Sequence, residues 1–112
     1  MNVRIISGKY GGRIIEGSGT SRTHPMGERI RNALFNMLNG IHGGELEGAK
    51  VLDAFAGSGA LGYEALSRGA AHVTFVEKDR IAQKIITSNA KLLRVEDSIK
   101  LASSPVASWA EK

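Results

Sequence analysis

Asp53, Gly57, Gly59, Gly62 and Glu77 are the residues whose types and spacing could do chemistry. Four of them fall in Val51-Leu52-Asp53-Ala54-Phe55-Ala56-Gly57-Ser58-Gly59-Ala60-Leu61-Gly62, where G-x-G-x-x-G stands between an apolar run and a helix-forming one. Glycines at that spacing let backbone N–H groups and a helix N-terminus approach a ligand closely. Glu77 ends the next apolar run, 77 − 53 = 24 positions after Asp53. That is near the offset of roughly 20 residues at which an acid meets ribose hydroxyls. The constellation reads as an adenosine site, with Asp53, Phe55, Ala56, Gly57, Ser58, Gly59, Leu61, Glu77 and Lys78 as the candidate cofactor-binding residues.

Asp53 discriminates between the usual adenosine cofactors. A dinucleotide places its pyrophosphate at the glycine turn, and a carboxylate four residues before the first glycine opposes that charge. S-adenosylmethionine presents an ammonium and a sulfonium, both cations, which an acid there favours. The glycine spacing alone keeps a nicotinamide-dependent oxidoreductase domain as an alternative.

The elements that must position these residues follow from pattern. Val3 to Ile6 and Arg13 to Ile15 are β-prone and flank a glycine-rich turn, which predicts a hairpin. Ile30, Leu34, Met37, Leu38 and Ile41 recur at helical spacing before a break at Gly43 and Gly44. From Lys50 onward, short apolar runs alternate with helical segments, as in βαβ units on a parallel sheet. The strands are Val51-Leu52, His72 to Val76 and Ser98 to Leu101. The helices are Ala60 to Arg68, closed by Gly69, and one capped by Asp79 with the stripe Ile81, Ala82, Ile85, Ile86, Ala90 and Leu93. Ser104-Pro105 is expected to open a short last helix, with Trp109 as a packing residue.

Charge is segregated along the chain. Residues 1–31 hold Arg4, Lys9, Arg13, Arg22, Arg29 and Arg31 against Glu16 and Glu28, a balance of 6 − 2 = +4, and the remaining nine basic and nine acidic groups cancel. A basic arm beside a neutral domain suits phosphate-backbone contact, with a solvated segment as the alternative, so these six cations are the candidate nucleic-acid-binding residues. With 112 residues there is room for one modest core. No apolar run is long enough to cross a bilayer and no signal-peptide core stands at the N-terminus, so the expected location is cytoplasmic. The chain lacks cysteine, and His24, His42 and His72 are scattered, which predicts no metal site.

Three segments carry a family resemblance. Asp53 to Gly62, Glu64-Ala65-Leu66-Ser67-Arg68-Gly69-Ala70 and Phe75-Val76-Glu77-Lys78-Asp79 resemble the bacterial ribosomal RNA guanine-N2-methyltransferases of the RsmD type. Upstream, Arg4-Ile5-Ile6-Ser7-Gly8-Lys9-Tyr10, Arg22-Thr23-His24-Pro25 and Arg31-Asn32-Ala33-Leu34-Phe35-Asn36 are similar to that family's opening segments. The resemblance implies an α/β fold with a Rossmann-like methyltransferase parallel sheet, apparently truncated, preceded by a β-hairpin and helix. Residues 1–44 would form the RNA-contacting arm and residues 45–112 the cofactor-binding half. It also implies methyl transfer from S-adenosylmethionine to a guanine N2 amine in ribosomal RNA or the small-subunit particle, with Asp53 and the Gly57–Gly59 loop on the methionine part and Glu77 on the ribose. The family's acceptor motif, Asp/Asn-Pro-Pro-aromatic, is absent, because Pro25 and Pro105 are the sole prolines. No catalytic residue is therefore assigned, and the chain is expected to be inactive alone; a non-catalytic S-adenosylmethionine- or RNA-binding module is the alternative. In the strand order 3-2-1-4-5, Val51-Leu52 would be left at an open edge, inviting self-association.

Overall fold

A computed structural model describes residues 2–17, 27–41, 46–54 and 56–103. Strands β1 (Asn2–Arg4) and β2 (Ile14–Glu16) form the expected hairpin, antiparallel with Val3 opposite Ile15. Both of those side chains point into the core, as does Ile5. The connecting turn passes close beneath a helix. Gly8, at φ 88°, has no room for a Cβ, which would strike the Ser67 backbone.

Helix α1 (Glu28–Ile41) leads to a parallel three-stranded sheet, β3 (Lys50–Ala54), β4 (His72–Val76) and β5 (Ile99–Ala102), in the spatial order β3-β4-β5. Helix α2 (Ala60–Ser67) crosses from β3 to β4, and α3 (Arg80–Leu93) from β4 to β5. Registers run Val51 to Val73 and Val73 to Ile99, so the C-terminal ends of all three strands share one side of the domain. That is where a parallel sheet gathers ligand-binding loops. The two crossover helices touch: the Tyr63 hydroxyl donates to the Ile86 carbonyl at 2.5 Å, and the Tyr63 ring lies 4.9 Å from Phe75. One hydrophobic core joins Val3, Ile5, Ile15 and Phe35 to Tyr63, Val73, Phe75, Ile86 and Leu93.

Capping follows the sequence. The Asp79 carboxylate accepts from Ala82 N at 2.8 Å, and Arg94 ends α3 in the left-handed region at φ 58°. Among the described residues α1 is rotated from the expected phase, whereas α3 keeps its expected stripe apart from Ile81. In α1 the buried residues are Arg31 and Phe35, while Ile30 and Met37 face outward. In α3 the buried line is Ala82, Ile86, Asn89, Ala90 and Leu93, and Ile81 is 71% exposed. In α1 the inner face is taken by Arg31, which Glu64 holds, and in α3 the buried Asn89 joins the apolar stripe. The expected helix at Ser104-Pro105 and Trp109 lies outside the described residues. Beside β3, opposite β4, an apolar hollow of about 160 Å³ is lined by Leu34, Phe35, Leu46, Leu52 and Leu61. Leu52 is 49% exposed there, and among the described residues β3 has no second strand partner.

Candidate cofactor site and basic surfaces

The glycine turn brings Asp53, at the end of β3, to the same corner as Glu77, just past β4. Gly57 and Gly59 adopt positive φ, 58° and 85°, which turns the chain from strand into α2 within a few residues. Gly62 answers a different need, because a Cβ there would land on the Phe75 ring. The two acids then take up the turn's own amides. Glu77 accepts from Gly57 N at 2.8 Å and from Asp79 N at 2.9 Å, and Asp53 accepts from Gly62 N at 3.1 Å. Gly59 N is bound to the Ala56 carbonyl at 2.8 Å. The glycine N–H groups that the motif suggested would face a ligand are thus occupied by acceptors of the protein.

Asp53 is 7% exposed. Burial pushes its carboxyl up from 3.8 to about 6; the Gly62 hydrogen bond opposes the shift and the Glu77 charge adds to it. The Glu77 charge makes Asp53 harder to ionise, and a cation placed between the two acids would offset that repulsion. Ser58 is buried, and its carbonyl accepts from the Asn89 amide at 3.2 Å. Ala56 is half-buried, Lys78 is exposed, and Leu61 lines the apolar hollow beside β3. Phe55 lies outside the described residues. Among the described residues no three His, Asp or Glu side chains cluster as metal ligands, and no helix is long and apolar enough to cross a membrane.

The basic arm is partly committed to the protein itself. Arg31 is 1% exposed; its Nε donates to Glu64 at 3.2 Å and its guanidinium also donates to the Arg4 carbonyl. Arg31 is therefore removed from the phosphate-contacting set, because a buried guanidinium held by a carboxylate cannot also reach a polyanion. Glu64, fully buried, accepts in addition from Arg68 Nε at 2.9 Å, Ile6 N at 2.9 Å and Ser7 N at 3.2 Å, which uses the capacity of a carboxylate. Arg4 pairs with Glu28 at 2.7 Å, which raises the arginine's pKa and lowers the glutamate's. The Arg13 guanidinium donates to the Leu92 carbonyl at 3.0 Å, and Lys9 stands 5.6 Å over the Tyr10 ring. Arg29 is exposed, and Arg22 lies outside the described residues.

Sequence reasoning missed Glu64 and Asn89. Asn89 accepts from Glu16 N and donates to its carbonyl, at 2.9 and 2.8 Å, so one side chain ties β2 to the cofactor loop. A signal was present in α2, whose sequence ALGYEALS sets one charge among small and apolar residues.

The family described as Conserved hypothetical protein 95 matches residues 3–111. The Ribosomal RNA small subunit methyltransferase D of Escherichia coli is 36% identical over 110 residues, covering 98% of this chain and 54% of that protein. Its Haemophilus influenzae counterpart is 42% identical over 93 residues, covering 82% and 46%. Among solved structures, the Escherichia coli yhhF protein superposes with a TM-score of 0.81 at 37% identity, over 97% of this chain and 56% of its own. The chain thus spans about half the length of these relatives. The C-terminal domain of a precorrin-6Y C5,15-methyltransferase from Rhodobacter capsulatus shares the fold at a TM-score of 0.68 and 14% identity, over 86% of this chain and 48% of its own. With a family match across nearly all of its residues, the chain belongs to the Conserved hypothetical protein 95 family and has the Rossmann-like α/β fold of methyltransferases.

Proposed function

We propose that this chain binds S-adenosylmethionine at the C-terminal ends of β3 and β4 and serves methyl transfer to the N2 amine of a guanine in small-subunit ribosomal RNA, in the cytoplasm. One observation carries the cofactor assignment: the Gly57 and Gly62 amides are bound by the Glu77 and Asp53 carboxylates. A pyrophosphate needs such amides free and the local field positive. This turn offers fixed negative charge instead, which suits a cationic donor and disfavours a dinucleotide.

The residues fit the group. Asp53 and the Gly57–Gly59 backbone would hold the methionine part, while Glu77 keeps lone pairs for ribose hydroxyls beyond the two N–H bonds it accepts. When bound, the cofactor supplies an electrophilic methyl group. This chain's residues orient the donor and set the field around it. The acceptor amine of guanine is a weak nucleophile that must be held in line with the methyl group. Residues 1–112 carry no adjacent prolines of the acceptor motif that the resemblance implies, so their share is the donor half of the reaction. The names of the relatives support RNA as the acceptor.

Calorimetry with S-adenosylhomocysteine and, separately, with NAD tests the assignment. Saturable binding of the first and none of the second is expected. NAD binding more tightly would overturn it.

A further inference from the structure

We propose that the outward face of α3 is a phosphate-tracking surface for RNA, a second basic patch separate from the N-terminal arm; this rests on the reading above that RNA is the substrate. Arg80, Lys84, Thr87, Ser88 and Lys91 share that face and are exposed, and they line a groove of about 440 Å³ between α3 and β5. Among the described residues no carboxylate lines it. The cations rise along the helix axis by about 6 Å from Arg80 to Lys84 and about 10 Å more to Lys91. The hydroxyls of Thr87 and Ser88 fall between the second and third. Cations interleaved with short hydroxyl donors are the side chains that bind phosphate oxygens.

Of the three cations on α3, only Lys91, in the last turn, complements the helix dipole. Its sequence, RIAQKIITSNAKLL, contains no acid. Arg80 and Lys84 are like charges at i, i+4 and lie toward the positive end of the helix dipole, two arrangements that destabilise a helix. The nearby acids are few. Asp79 is spent on its cap, and Glu96 and Asp97 sit in the 3-10 turn after α3. Cations of the arm, by contrast, are held by Glu28 and Glu64.

The patch also connects the right places. At one end, Gln83 Nε2 donates to the Glu77 carbonyl at 2.8 Å, so the patch begins beside the cofactor acid. At the other, the Arg13 guanidinium of the hairpin donates to the Leu92 carbonyl near the end of α3. A strand following this face would run from the donor site to the arm.

The test is fluorescence anisotropy of the full chain with a labelled hairpin RNA copied from small-subunit ribosomal RNA, over a salt series. For Arg80→Gln/Lys84→Gln/Lys91→Gln, the slope of log K against log salt is expected to fall by about 2 to 3, with an affinity loss of at least about tenfold. Crosslinking with 4-thiouridine-substituted RNA is expected to label peptides spanning residues 80–91. S-adenosylhomocysteine calorimetry on the unmutated chain separates the readings: RNA binding that depends on the three cations, in a chain that binds no S-adenosylhomocysteine, sinks the cofactor assignment and leaves the surface standing. An unchanged salt slope, or loss confined to an Arg4→Gln/Lys9→Gln/Arg29→Gln variant, would overturn the proposal. So would tighter binding to phosphatidylserine vesicles than to RNA.

Discussion

Replacing Asp53 by Asn isolates the cost of placing a carboxylate under the glycine turn. Burial holds the carboxyl at about 6 against an ordinary 3.8. Because the folded value is the higher one, protonation stabilises the fold; that stabilisation is fully present below the unfolded value and is lost as pH rises through about 6. At pH 7 the ionised group therefore costs about 3 kcal/mol. Asn keeps an oxygen able to accept from Gly62 N and never ionises. Asp53→Asn is expected to stabilise the chain at pH 7 by about 2 to 3 kcal/mol, or about 8 to 12 °C in Tm for a domain of this size. The advantage should shrink below about 1 kcal/mol near pH 4, where the wild-type carboxyl is protonated in the fold. Urea denaturation of both proteins across that range measures the difference, and carboxylates other than the coupled Glu77 cancel in the comparison. The same variant should bind S-adenosylhomocysteine at least about tenfold more weakly, since the ammonium loses its counter-charge. A variant less stable than wild type at pH 7, or a difference that ignores pH, would refute the reasoning.

Three further outcomes are expected. Glu77→Ala should weaken S-adenosylhomocysteine binding by about tenfold or more in calorimetry, because it removes the ribose acceptor and releases the Gly57 and Asp79 amides. Glu64→Ala should destabilise the chain by about 3 to 5 kcal/mol, because Arg31 is left buried without its carboxylate; hydrogen exchange should accelerate at Ile6 and Ser7 before it does in β4. The isolated chain should transfer no methyl group to RNA and should associate through β3 with rising concentration, and Leu52→Lys should suppress that association in light scattering.

Legibility in the sequence tracked how local each determinant is. Strand β4 and the Asp79 cap were readable to the residue, since a β-branched run and a side chain bonding three positions ahead need no distant partner. The glycine turn was readable as a turn, but the owners of its amides were not: Gly57 bonds an acid 20 residues away. The phase of α1, and the outer edge of the α3 stripe at Ile81, were misread for the same reason. Periodicity counts Ile30 and Ile81 as core because they are apolar, whereas Arg31 and Asn89 are interior because Glu64 and the Glu16 backbone satisfy them. Arg31 lies three and four positions before Leu34 and Phe35, so it shares their face, a hint that charge counting overrode.

The hairpin's anchorage also sets a timetable for synthesis. Residues 2–16 leave the ribosome well before their partners Glu64, Ser67, Asn89 and Leu92. Ile6 must wait for a residue 58 positions downstream, and Glu16 for one 73 positions on. At about 5 to 20 residues per second, the apolar strands of the hairpin stay unclaimed for several seconds, with no core to dock on. Folding of the hairpin is thus non-local, and slow loop closure rather than local propensity governs when its two strands become native. A nascent chain stalled before Glu64 would hold a two-stranded ribbon that is too small to persist in water.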